Sequence, residues 1–451
     1  MTKRFLLSTF AFLISSNLLL AQFVVNDVTF ASNSVSDEGK VSGYQFQSGP
    51  YSIWLPDSGN SIIDIGGVAP GLGVGGQARF SADGNIISGT SIGLNGPEMS
   101  KYNRSTGQWT TVGSLGFAVD GNVSSGFSVS GDGNTVVGLS WADTTGGYAY
   151  AHAVASSVLE GLMDLGSIYD SIQRSTRANA VSFDGSVVVG WQDFNGPWKS
   201  AVWRKNPAGG YYPNEYILID TNQNPYDEFN QMGECSAVSA DGEWIGGYGD
   251  YANNYQPWIW SQDSGVINLG TIPNVGNGFV SGMSADASIV VGWFDGQLFG
   301  DPQTPFIWTR AGGLQELNAY INNVLGYPTN NYQVYTADCI SPNGQYIAGY
   351  GVNNLTFNYF VYRVSLSGAV SINELSTTSG LQVYPNPSNG TVNIEKAGNA
   401  IVSIRSVDGK LVYRNEINEK LLLDISSFAS GVYLLSVQNS ESIQTRKLIR
   451  K

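Results

Sequence analysis

Histidine, cysteine and charged residues are scarce in this sequence. Its 451 residues include one histidine, two cysteines and only 13% charged side chains. Because His152 is the single histidine, an H-E-x-x-H zinc site is excluded. A Ser-His-Asp triad or a cysteine protease would have to use His152 as its general base. No Gly-x-Ser-x-Gly elbow lies at a strand-to-helix turn. We therefore predict no catalytic residue, no cofactor and no metal site, and we interpret His152 as a packing or surface residue of a strand.

Basic residues are scarcer than acidic ones, and the imbalance is confined to one part of the chain. Residues 23–380 carry 11 basic and 30 acidic side chains, a net charge of −19, whereas residues 381–451 carry 9 basic and 6 acidic ones, a net charge of +3. Contacts with phosphate groups require Lys and Arg, so the acidic segment argues against nucleic-acid binding. Acidity is also an ordinary means of remaining soluble outside a cell.

Long apolar runs are absent except at the start of the chain. Residues 1–21 combine Lys3 and Arg4 with a short apolar run and a small final residue, Ala21, which is the pattern of a secretory signal peptide. A transmembrane helix needs about 20 apolar residues, and this run is shorter and interrupted by Ser and Asn. No cysteine follows the expected cleavage point, which argues against a lipoprotein. We predict an exported protein that does not span a membrane.

Glycine and aromatic residues, in contrast, are abundant and recur in a pattern. The chain has 56 glycines, 24 tyrosines and 11 tryptophans, a composition that favours strands and turns over helices. A Ser-x-Asp-Gly phrase followed by an apolar strand that ends in glycine recurs along the chain, as in VSFDGSVVVGW at residues 181–191. Its anchor serines, which lie 45 to 57 residues apart, are Ser36, Ser81, Ser130, Ser182, Ser239, Ser284 and Ser341.

Each repeat is predicted to form four short antiparallel strands. The Asp-Gly or Asn-Gly step is typical of a tight hairpin turn, and seven four-stranded units of about 50 residues match the period of a β-propeller. We predict an all-β fold, with a seven-bladed β-propeller at residues 23–375 followed by a small immunoglobulin-like β-sandwich. An open β-solenoid is the alternative. Residues 369–376 are a candidate fourth strand of the last repeat, so a strand at 23–27 either seals the ring or merely leads into it.

The two cysteines occupy similar places in the fifth and seventh repeats. An exported protein has access to disulfide formation, but a whole repeat separates Cys235 from Cys339. A disulfide requires Cα atoms about 4.4–6.8 Å apart. We predict two buried free thiols.

An aspartate recurs at one position of the repeated turn, as Asp83, Asp132, Asp184, Asp241 and Asp286. Calcium requires about 6–8 oxygen ligands, usually from several carboxylates in one loop. Each of these loops supplies one carboxylate. We therefore interpret the aspartates as turn-forming residues.

The repeats resemble the HAF repeats of extracellular bacterial proteins. The resemblance rests on the SADGxxVVG pattern, a following xFxW and LG, and the segment LQELNAYINNVLGY at residues 314–327, and it covers about residues 28–375. It implies little biochemistry, because most members of that family have no known function.

The last 71 residues, 381–451, follow a small polar linker at 376–380 and resemble the C-terminal sorting domain of proteins that the type IX secretion system of Bacteroidota exports. The resemblance implies handling by that machinery, cleavage of the tail, and a product that is secreted or attached to the cell surface. The matching sorting-signal residues are Tyr384, Pro385, Asn386, Pro387, Gly390, Asp408, Gly409, Lys410, Gly431, Val432, Tyr433 and Lys447.

Irregular inserts between the repeats are the candidate binding segments. Residues 220–233 and 318–335 lengthen the intervals before the fifth and seventh repeats. In a propeller they would meet the loops at 192–200 and 294–305 on one face, around the mouth of the central channel. Exposed aromatic rings beside Asn and Asp suit stacking on sugars or docking of peptides. The alternative for each ring is that it packs its loop against the blades. The predicted ligand-binding residues are Trp198, Tyr226, Phe229, Tyr327 and Tyr332.

Three functions are compatible with these features. The first is a non-catalytic module that binds a glycan or an extracellular protein. The second is a glycoside hydrolase or lyase, whose paired carboxylates would come from a set such as Asp220, Asp227, Glu228 and Glu234. The third is a structural component of the cell surface.

Overall fold

The computed structural model describes residues 23–45, 50–68, 75–143, 149–168, 173–193, 198–213, 232–249, 256–298, 300–366, 382–395, 400–406, 411–418, 420–438 and 443–451. The chain divides into two compact units, Met1–Ala369 and Val370–Lys451. The described regular structure is strand, apart from one helical segment at Leu317–Ala319 and Tyr320–Val324. The prediction of an all-β chain is confirmed, and the predicted signal peptide at 1–21 lies outside the described residues.

The described strands of the first unit form seven small antiparallel sheets, numbered here in chain order. β1 (Phe23–Asn26) precedes sheet 1. Sheet 1 contains β2 (Phe30–Val35), β3 (Val41–Gln45), β4 (Tyr51–Leu55) and β5 (Ser61–Gly66). Sheet 2 contains β6 (Ile86–Gly93), β7 (Gly96–Asn103) and β8 (Gln108–Gly113). Sheet 3 contains β9 (Ser124–Val129), β10 (Thr135–Asp143), β11 (Tyr150–Ser157) and β12 (Gly161–Gly166).

The remaining sheets of this unit repeat the same plan. Sheet 4 contains β13 (Thr176–Val181), β14 (Val187–Gln192) and β15 (Lys199–Arg204). Sheet 5 contains β16 (Cys235–Val238), β17 (Ile245–Gly247), β18 (Trp258–Ser261) and β19 (Gly265–Asn268). Sheet 6 contains β20 (Gly278–Met283), β21 (Ile289–Phe294), β22 (Thr304–Thr309) and β23 (Gly313–Glu316). Sheet 7 contains β24 (Tyr332–Val334), β25 (Cys339–Ile340), β26 (Tyr346–Asn353) and β27 (Tyr359–Ser365).

The first strand of the described chain completes the last sheet. β1 pairs antiparallel with β27, with Phe23 opposite Val364, and β2 packs against the strands of sheet 7. The Arg363 guanidinium in β27 bonds to the Asp57 carboxylate and to the Gly39 carbonyl of sheet 1. β1 thus takes the outermost place in sheet 7 beside β27, and side-chain bonds join sheets 7 and 1. Residues 369–376, the competing strand, lie outside the described residues.

The anchor serine organises each repeated turn. Ser81 is buried; its Oγ donates to Asp83 Oδ1 at 2.6 Å and accepts from Ile86 N at 3.0 Å. The Asp83 carboxylate also accepts from Asn85 N at 3.0 Å. The same contacts recur at Ser130, Ser182, Ser239 and Ser284. The predicted turn-forming role of the repeated aspartate is confirmed by these bonds.

The residues beside the anchor serines link neighbouring repeats from the second to the seventh. Their main-chain hydrogen bonds, called the turn ring below, are Ala82 N to Gly131 O (2.9 Å), Asp132 N to Phe183 O (2.9 Å), Phe183 N to Ala240 O (2.9 Å), Ala240 N to Ala285 O (2.9 Å) and Ala285 N to Pro342 O (2.8 Å). Pro342 has no N–H to continue the series. Asn343 N donates instead to Asp37 Oδ1 at 2.8 Å, which joins sheet 7 to sheet 1.

A β-bulge three residues before the anchor serine makes a second set of links. The bulges fall at Asn33, Phe127, Asn179, Ser236 and Ser281. Asn33 Oδ1 accepts from Ala78 N at 3.0 Å in the next repeat, and Asn179 Nδ2 donates to Cys235 O at 2.8 Å. Ser236 Oγ donates to Val280 O at 2.6 Å. A bulge re-aims a side chain out of the ladder, and at Asn33, Asn179 and Ser236 it directs a polar group to the neighbouring repeat.

The bulges also explain the repeated glycine of the second strand. A Cβ atom at this position would overlap a carbonyl oxygen of the bulged inner strand, for example Phe279 O opposite Gly292 and Arg177 O opposite Gly190. The same overlap would occur at Gly43, Gly138, Gly247 and Gly349. Glycine is required here because the two backbones approach closely.

Large aromatic side chains fill the spaces between the sheets. Trp54, Trp203 and Trp258 are each 0% exposed. The indole N–H groups of Trp54 and Trp203 donate to Asn60 Oδ1 at 2.6 Å and Leu165 O at 3.0 Å. Burying a tryptophan is worth about 3–5 kcal/mol when measured by truncation to Ala, so these rings stabilise the sheet packing.

The inner strands enclose a central channel. Residues from all seven repeats line a cavity of about 340 Å³. Cys235 and Cys339 are buried in β16 and β25, and sheet 6 lies between their sheets. Burial raises the pKa of both thiols. The structure thus has them as free, buried cysteines, as the repeat spacing predicts.

The second unit consists of two sheets around one core in the described residues. One sheet contains β28 (Gln382–Tyr384), β29 (Thr391–Glu395) and β32 (Lys420–Asp424). The other contains β30 (Ala400–Ser406), β31 (Leu411–Ile417), β33 (Gly431–Gln438) and β34 (Ile443–Arg450). Alternating apolar residues of both sheets meet in the core, as expected of strands with one buried face.

Candidate functional site

The first unit has two chemically different faces. Antiparallel strands end alternately on opposite sides of a sheet, so the Ser-x-Asp-Gly turns and the turns between third and fourth strands lie on one side, the turn face. Bonds such as Arg104 N to Asn85 O (2.9 Å) join the two kinds of turn. The connections between second and third strands, and those between sheets, lie on the opposite side, the loop face.

A cleft of about 360 Å³ opens on the loop face where sheets 6, 7 and 1 meet. We call it the aromatic cleft, and its lining includes Phe30, Ser32, Trp293, Gln303, Asp338, Tyr350 and Tyr359. A neighbouring groove of about 580 Å³ shares Gln303, Tyr350 and Tyr359 and adds the Asp295 and Asp301 carboxylates and Tyr335. Volumes of this size match sites for small organic ligands.

Asp338 supplies the carboxylate of the aromatic cleft. Its Oδ2 atom accepts from Ser32 Oγ at 2.6 Å, a bond from sheet 1 to sheet 7. Burial raises the pKa of Asp338 to about 6, and the hydrogen bonds from Ser32 and Thr336 limit the rise. The side chain stands three residues before an anchor serine, the position where other repeats place their bulge residue. The carboxyl therefore changes charge in a pH range where free aspartate is already ionised.

Two tyrosines and a glutamine form one wall of the aromatic cleft. Tyr350 Oη donates to Gln303 Oε1 at 2.6 Å, and the Tyr350 and Tyr359 rings meet edge to face with centroids 6.1 Å apart. Burial raises the pKa of Tyr350 to about 12. Tyr359 is 51% exposed, and Phe357 beside it is 79% exposed. Phe357 also has φ of 58°, a left-handed conformation that is uncommon for a bulky residue.

A second aromatic group lies on the loop face at sheets 3 to 5. Trp198 is 45% exposed and stacks on Trp191 with ring centroids 4.4 Å apart. The Arg177 guanidinium lies 5.3 Å from the Trp191 ring and pairs with Glu234 Oε1 at 2.9 Å. Glu234, a carboxylate considered for glycoside hydrolysis, also accepts from Tyr248 Oη at 2.7 Å and is buried. Its contacts are those of a structural ion pair.

The predicted ligand-binding residues have different surroundings. Trp198 is exposed on the loop face, as described above. Tyr332 is half-buried; its Oη lies 3.3 Å from Asp27 Oδ2 and its ring packs edge to face on Phe360. Tyr327 is 9% exposed and belongs to the core of sheets 6 and 7, because the helical segment folds it inward. Tyr226 and Phe229 lie outside the described residues, as do Asp220, Asp227 and Glu228.

Sequence reasoning missed most residues of the aromatic cleft, although Gln303 lies in the loop at 294–305 that it placed on the binding face. Trp293, Tyr350 and Tyr359 sit in strands that look like every other copy, and nothing in one sequence marks them as lining a cleft. Asp338 did carry a signal, since the other repeats have Asn, Ser, Ala or Phe at the third residue before the anchor serine. The charge of Asp338, at a repeat position that faces inward, was the sequence signal that could have indicated the cleft.

The single histidine has a structural environment. His152 is 6% exposed, and its Nδ1 lies 2.9 Å from Asp164 Oδ1. The Tyr150 ring contacts it edge to face at 5.4 Å. In the part of the chain that the structure describes, no group of three or more His, Cys, Asp or Glu side chains is placed to hold a metal ion.

The sorting-signal residues divide into exposed and structural ones. Pro385, Asn386 and Pro387 form an exposed segment, and Asn386 Oδ1 accepts from Ile449 N at 2.9 Å. Tyr433 is buried in the core of the second unit and donates to Ala429 O at 2.8 Å. Gly431 opens β33, and Gly390 N donates to Ser388 Oγ at 3.2 Å. Gly409 and Lys410 lie outside the described residues.

A family comparison identifies the second unit. Residues 382–451 match the model of the secretion system C-terminal sorting domain. This tail implies export by the type IX secretion system to the cell surface or the extracellular space. A search of curated proteins gives no match. Among the described helices none is long and apolar enough to cross a membrane.

Several solved structures are similar to the chain at low identity. TolB from Acinetobacter baumannii is 15% identical, with 65% of this chain and 63% of that chain covered and a TM-score of 0.39, so the chain spans less than two-thirds of that protein. An oligogalacturonate lyase from Vibrio parahaemolyticus is 12% identical (76% and 91% covered, TM-score 0.44). The β-propeller domain of the Trilobed protease from Pyrococcus furiosus is 10% identical (77% and 99% covered, TM-score 0.45).

Proposed function

We propose that residues 23–375 form a closed seven-bladed β-propeller that binds a glycan, without catalysis, through the aromatic cleft. The signal peptide at 1–21 directs the chain across the inner membrane, a linker at 376–380 joins the propeller to residues 381–451, and the sorting tail is cleaved after export. The product is released or attached to the cell surface. The resemblance to HAF repeats of extracellular proteins agrees with this location. The aromatic cleft is the single observation on which the binding proposal depends.

The cleft has the chemistry that sugar recognition requires. Sugar rings have apolar faces that stack on aromatic side chains, and their hydroxyl groups bond to carboxylates and amides. The exposed Tyr359 ring and the half-buried Trp293 ring offer stacking surfaces, and Asp338 and Gln303 offer oxygens in the same cavity. Aromatic rings also give contact area at a low cost in side-chain entropy.

A carbohydrate-active enzyme is the second candidate, and one observation favours it. The pKa of Asp338, raised to about 6, suits a general acid near neutral pH. Glycoside hydrolysis by the usual route needs a second carboxylate about 5–9.5 Å away, and Asp295 in the adjoining groove is the candidate partner. We favour binding because Asp338 already bonds to Ser32, a contact that joins two sheets.

A glycan screen on the exported, processed protein tests the proposal. We expect one class of oligosaccharide to bind and to be recovered uncut, and we expect Tyr359→Ala to weaken that binding at least tenfold. Cleavage of a bound glycan that Asp338→Asn abolishes while binding persists would establish the enzyme instead. A protein that coats cells but binds no soluble glycan would establish a structural role.

The export step has its own test. Deletion of residues 382–451 should leave the chain in the periplasm, because the sorting tail directs passage across the outer membrane. Immunoblots of periplasm and culture medium measure the distribution. Unchanged secretion of the truncated chain would refute this part of the proposal.

A further inference from the structure

One repeat places a cation in the central channel where the other six place small side chains. The residue two positions before the anchor serine lines the channel in every sheet. In six repeats it is small: Ser34, Ser128, Ala180, Ala237, Gly282 and Cys339. In the second repeat it is Arg79. Arg79 is therefore the one charged side chain at this position of the repeat.

Arg79 has no anionic partner among the described residues. Its Nε donates to Gln77 Oε1 at 2.9 Å, an uncharged acceptor. Arg177, the other cation near the channel, is already paired with Glu234 at 2.9 Å. Asp37, at the channel mouth, accepts from Asn343 N at 2.8 Å and does not form an ion pair with Arg79.

An unpaired charge at the position of Arg79 has a cost in desolvation free energy. Arg79 lines the channel and is half-buried. Burial and the neighbouring Arg177 charge lower the pKa of Arg79. A buried charge is normally paired or bound to a counter-ion, because its desolvation is otherwise uncompensated.

We propose that the central channel binds a compact oxyanion group, a carboxylate, sulfate or phosphate, on the Arg79 guanidinium. A planar guanidinium presents parallel N–H donors that match two oxygens of such a group. The channel cavity of about 340 Å³ admits a small anion or a single acidic sugar. The site is separate from the aromatic cleft, and its failure would leave the proposed glycan binding intact.

The structural alternative is that Arg79 merely fills the channel. The two roles predict different responses to anions. A side chain that only fills space stabilises the protein through its volume, so added anions should not act through it. Arg79→Met keeps most of the volume and removes the charge, and Arg79→Lys keeps the charge but removes the paired donors. Arg310→Met is a matched control, since that guanidinium stacks on Trp244 at 4.0 Å on the turn face.

Thermal unfolding and calorimetry on the exported, processed protein test the proposal. The midpoint is measured in sodium chloride and, at matched ionic strength, in sulfate, phosphate, acetate and galacturonate, which separate inorganic oxyanions from carboxylates. We expect at least one oxyanion to raise the wild-type and Arg310→Met midpoints. We expect no such rise for Arg79→Met and at least tenfold weaker binding for Arg79→Lys.

Two results would overturn the proposal. Equal wild-type midpoints in all five salts would mean that the channel binds none of these oxyanions. An equal rise in wild type and Arg79→Met would mean that the anion acts on the whole protein surface. If Arg79→Met does not fold, Arg79→Lys decides, and an unchanged affinity for this variant would also contradict the proposal.

Discussion

The two faces of the repeat unit are built from residues that differ in how strictly they recur. On the turn face, the anchor serine makes the same two bonds in repeat after repeat, and the turn ring joins neighbouring turns at 2.8–2.9 Å. On the loop face, the connections between second and third strands range from two to ten residues and differ in sequence. The exposed rings and the half-buried Asp338 carboxyl are found there. Recurrent residues therefore define the fold of the repeat unit, whereas the irregular residues can vary to bind a particular ligand.

The largest expected effect comes from the repeated glycine. Gly292→Ala should destabilise the protein by about 4 kcal/mol or more or prevent folding, because its Cβ would overlap Phe279 O of the bulged inner strand. Gly282→Ala in the same sheet is the control, since its Cβ would lie 3.4 Å from the Ile340 side chain. Denaturant unfolding of both variants measures the difference. Equal stabilities would contradict the assignment of this glycine to ring construction.

Ionisation of Asp338 on the loop face should lower the free energy of unfolding as pH rises. Its pKa is about 6 in the folded chain and about 3.9 in an unfolded chain. The folded state therefore binds the proton more tightly, and stability falls between about pH 4 and pH 6 as that proton is lost. At pH 7 we expect Asp338→Asn to be more stable than wild type by about 2–3 kcal/mol, with no difference at pH 3.5.

The control for this titration is the exposed Asp263, whose Asn variant should follow wild type at both pH values. Unfolding free energies at pH 3.5, 5 and 7 measure the effect. A wild-type protein that gains stability relative to Asp338→Asn on going from pH 4 to pH 7 would show that the sign is wrong.

A smaller loss is expected at the turn face. Ser182 is 1% exposed, and its Oγ accepts from Val187 N at 2.9 Å. Ser182→Ala leaves that N–H without its partner and should cost about 1–2 kcal/mol. The exposed Ser58 gives the control, and its Ala variant should lie within about 0.5 kcal/mol of wild type. A similar loss in both variants would remove the distinction between anchor serines and ordinary turn serines.

The sequence predicted the repeated features well and the irregular ones poorly, for a physical reason. Turn chemistry is local, so Ser81, Asp83 and the following glycine announce a hairpin wherever they occur. The pairing of β1 with β27 joins residues more than 300 positions apart, and no local pattern encodes it. Exposure on the loop face depends on how three sheets meet. Tyr327 lies in an irregular insert and Tyr359 in a repeated strand, yet the first is 9% and the second 51% exposed.

A binding experiment that compares one residue from each face tests most directly whether the loop face binds the ligand. Tyr359 on the loop face and Phe183 on the turn face are exposed to a similar degree, 51% and 47%. Isothermal titration of the glycan found in the screen should show at least a tenfold loss of affinity for Tyr359→Ala and none for Phe183→Ala, with both variants folded. Loss of binding in Phe183→Ala, with Tyr359→Ala unaffected, would contradict the assignment of recognition to the loop face.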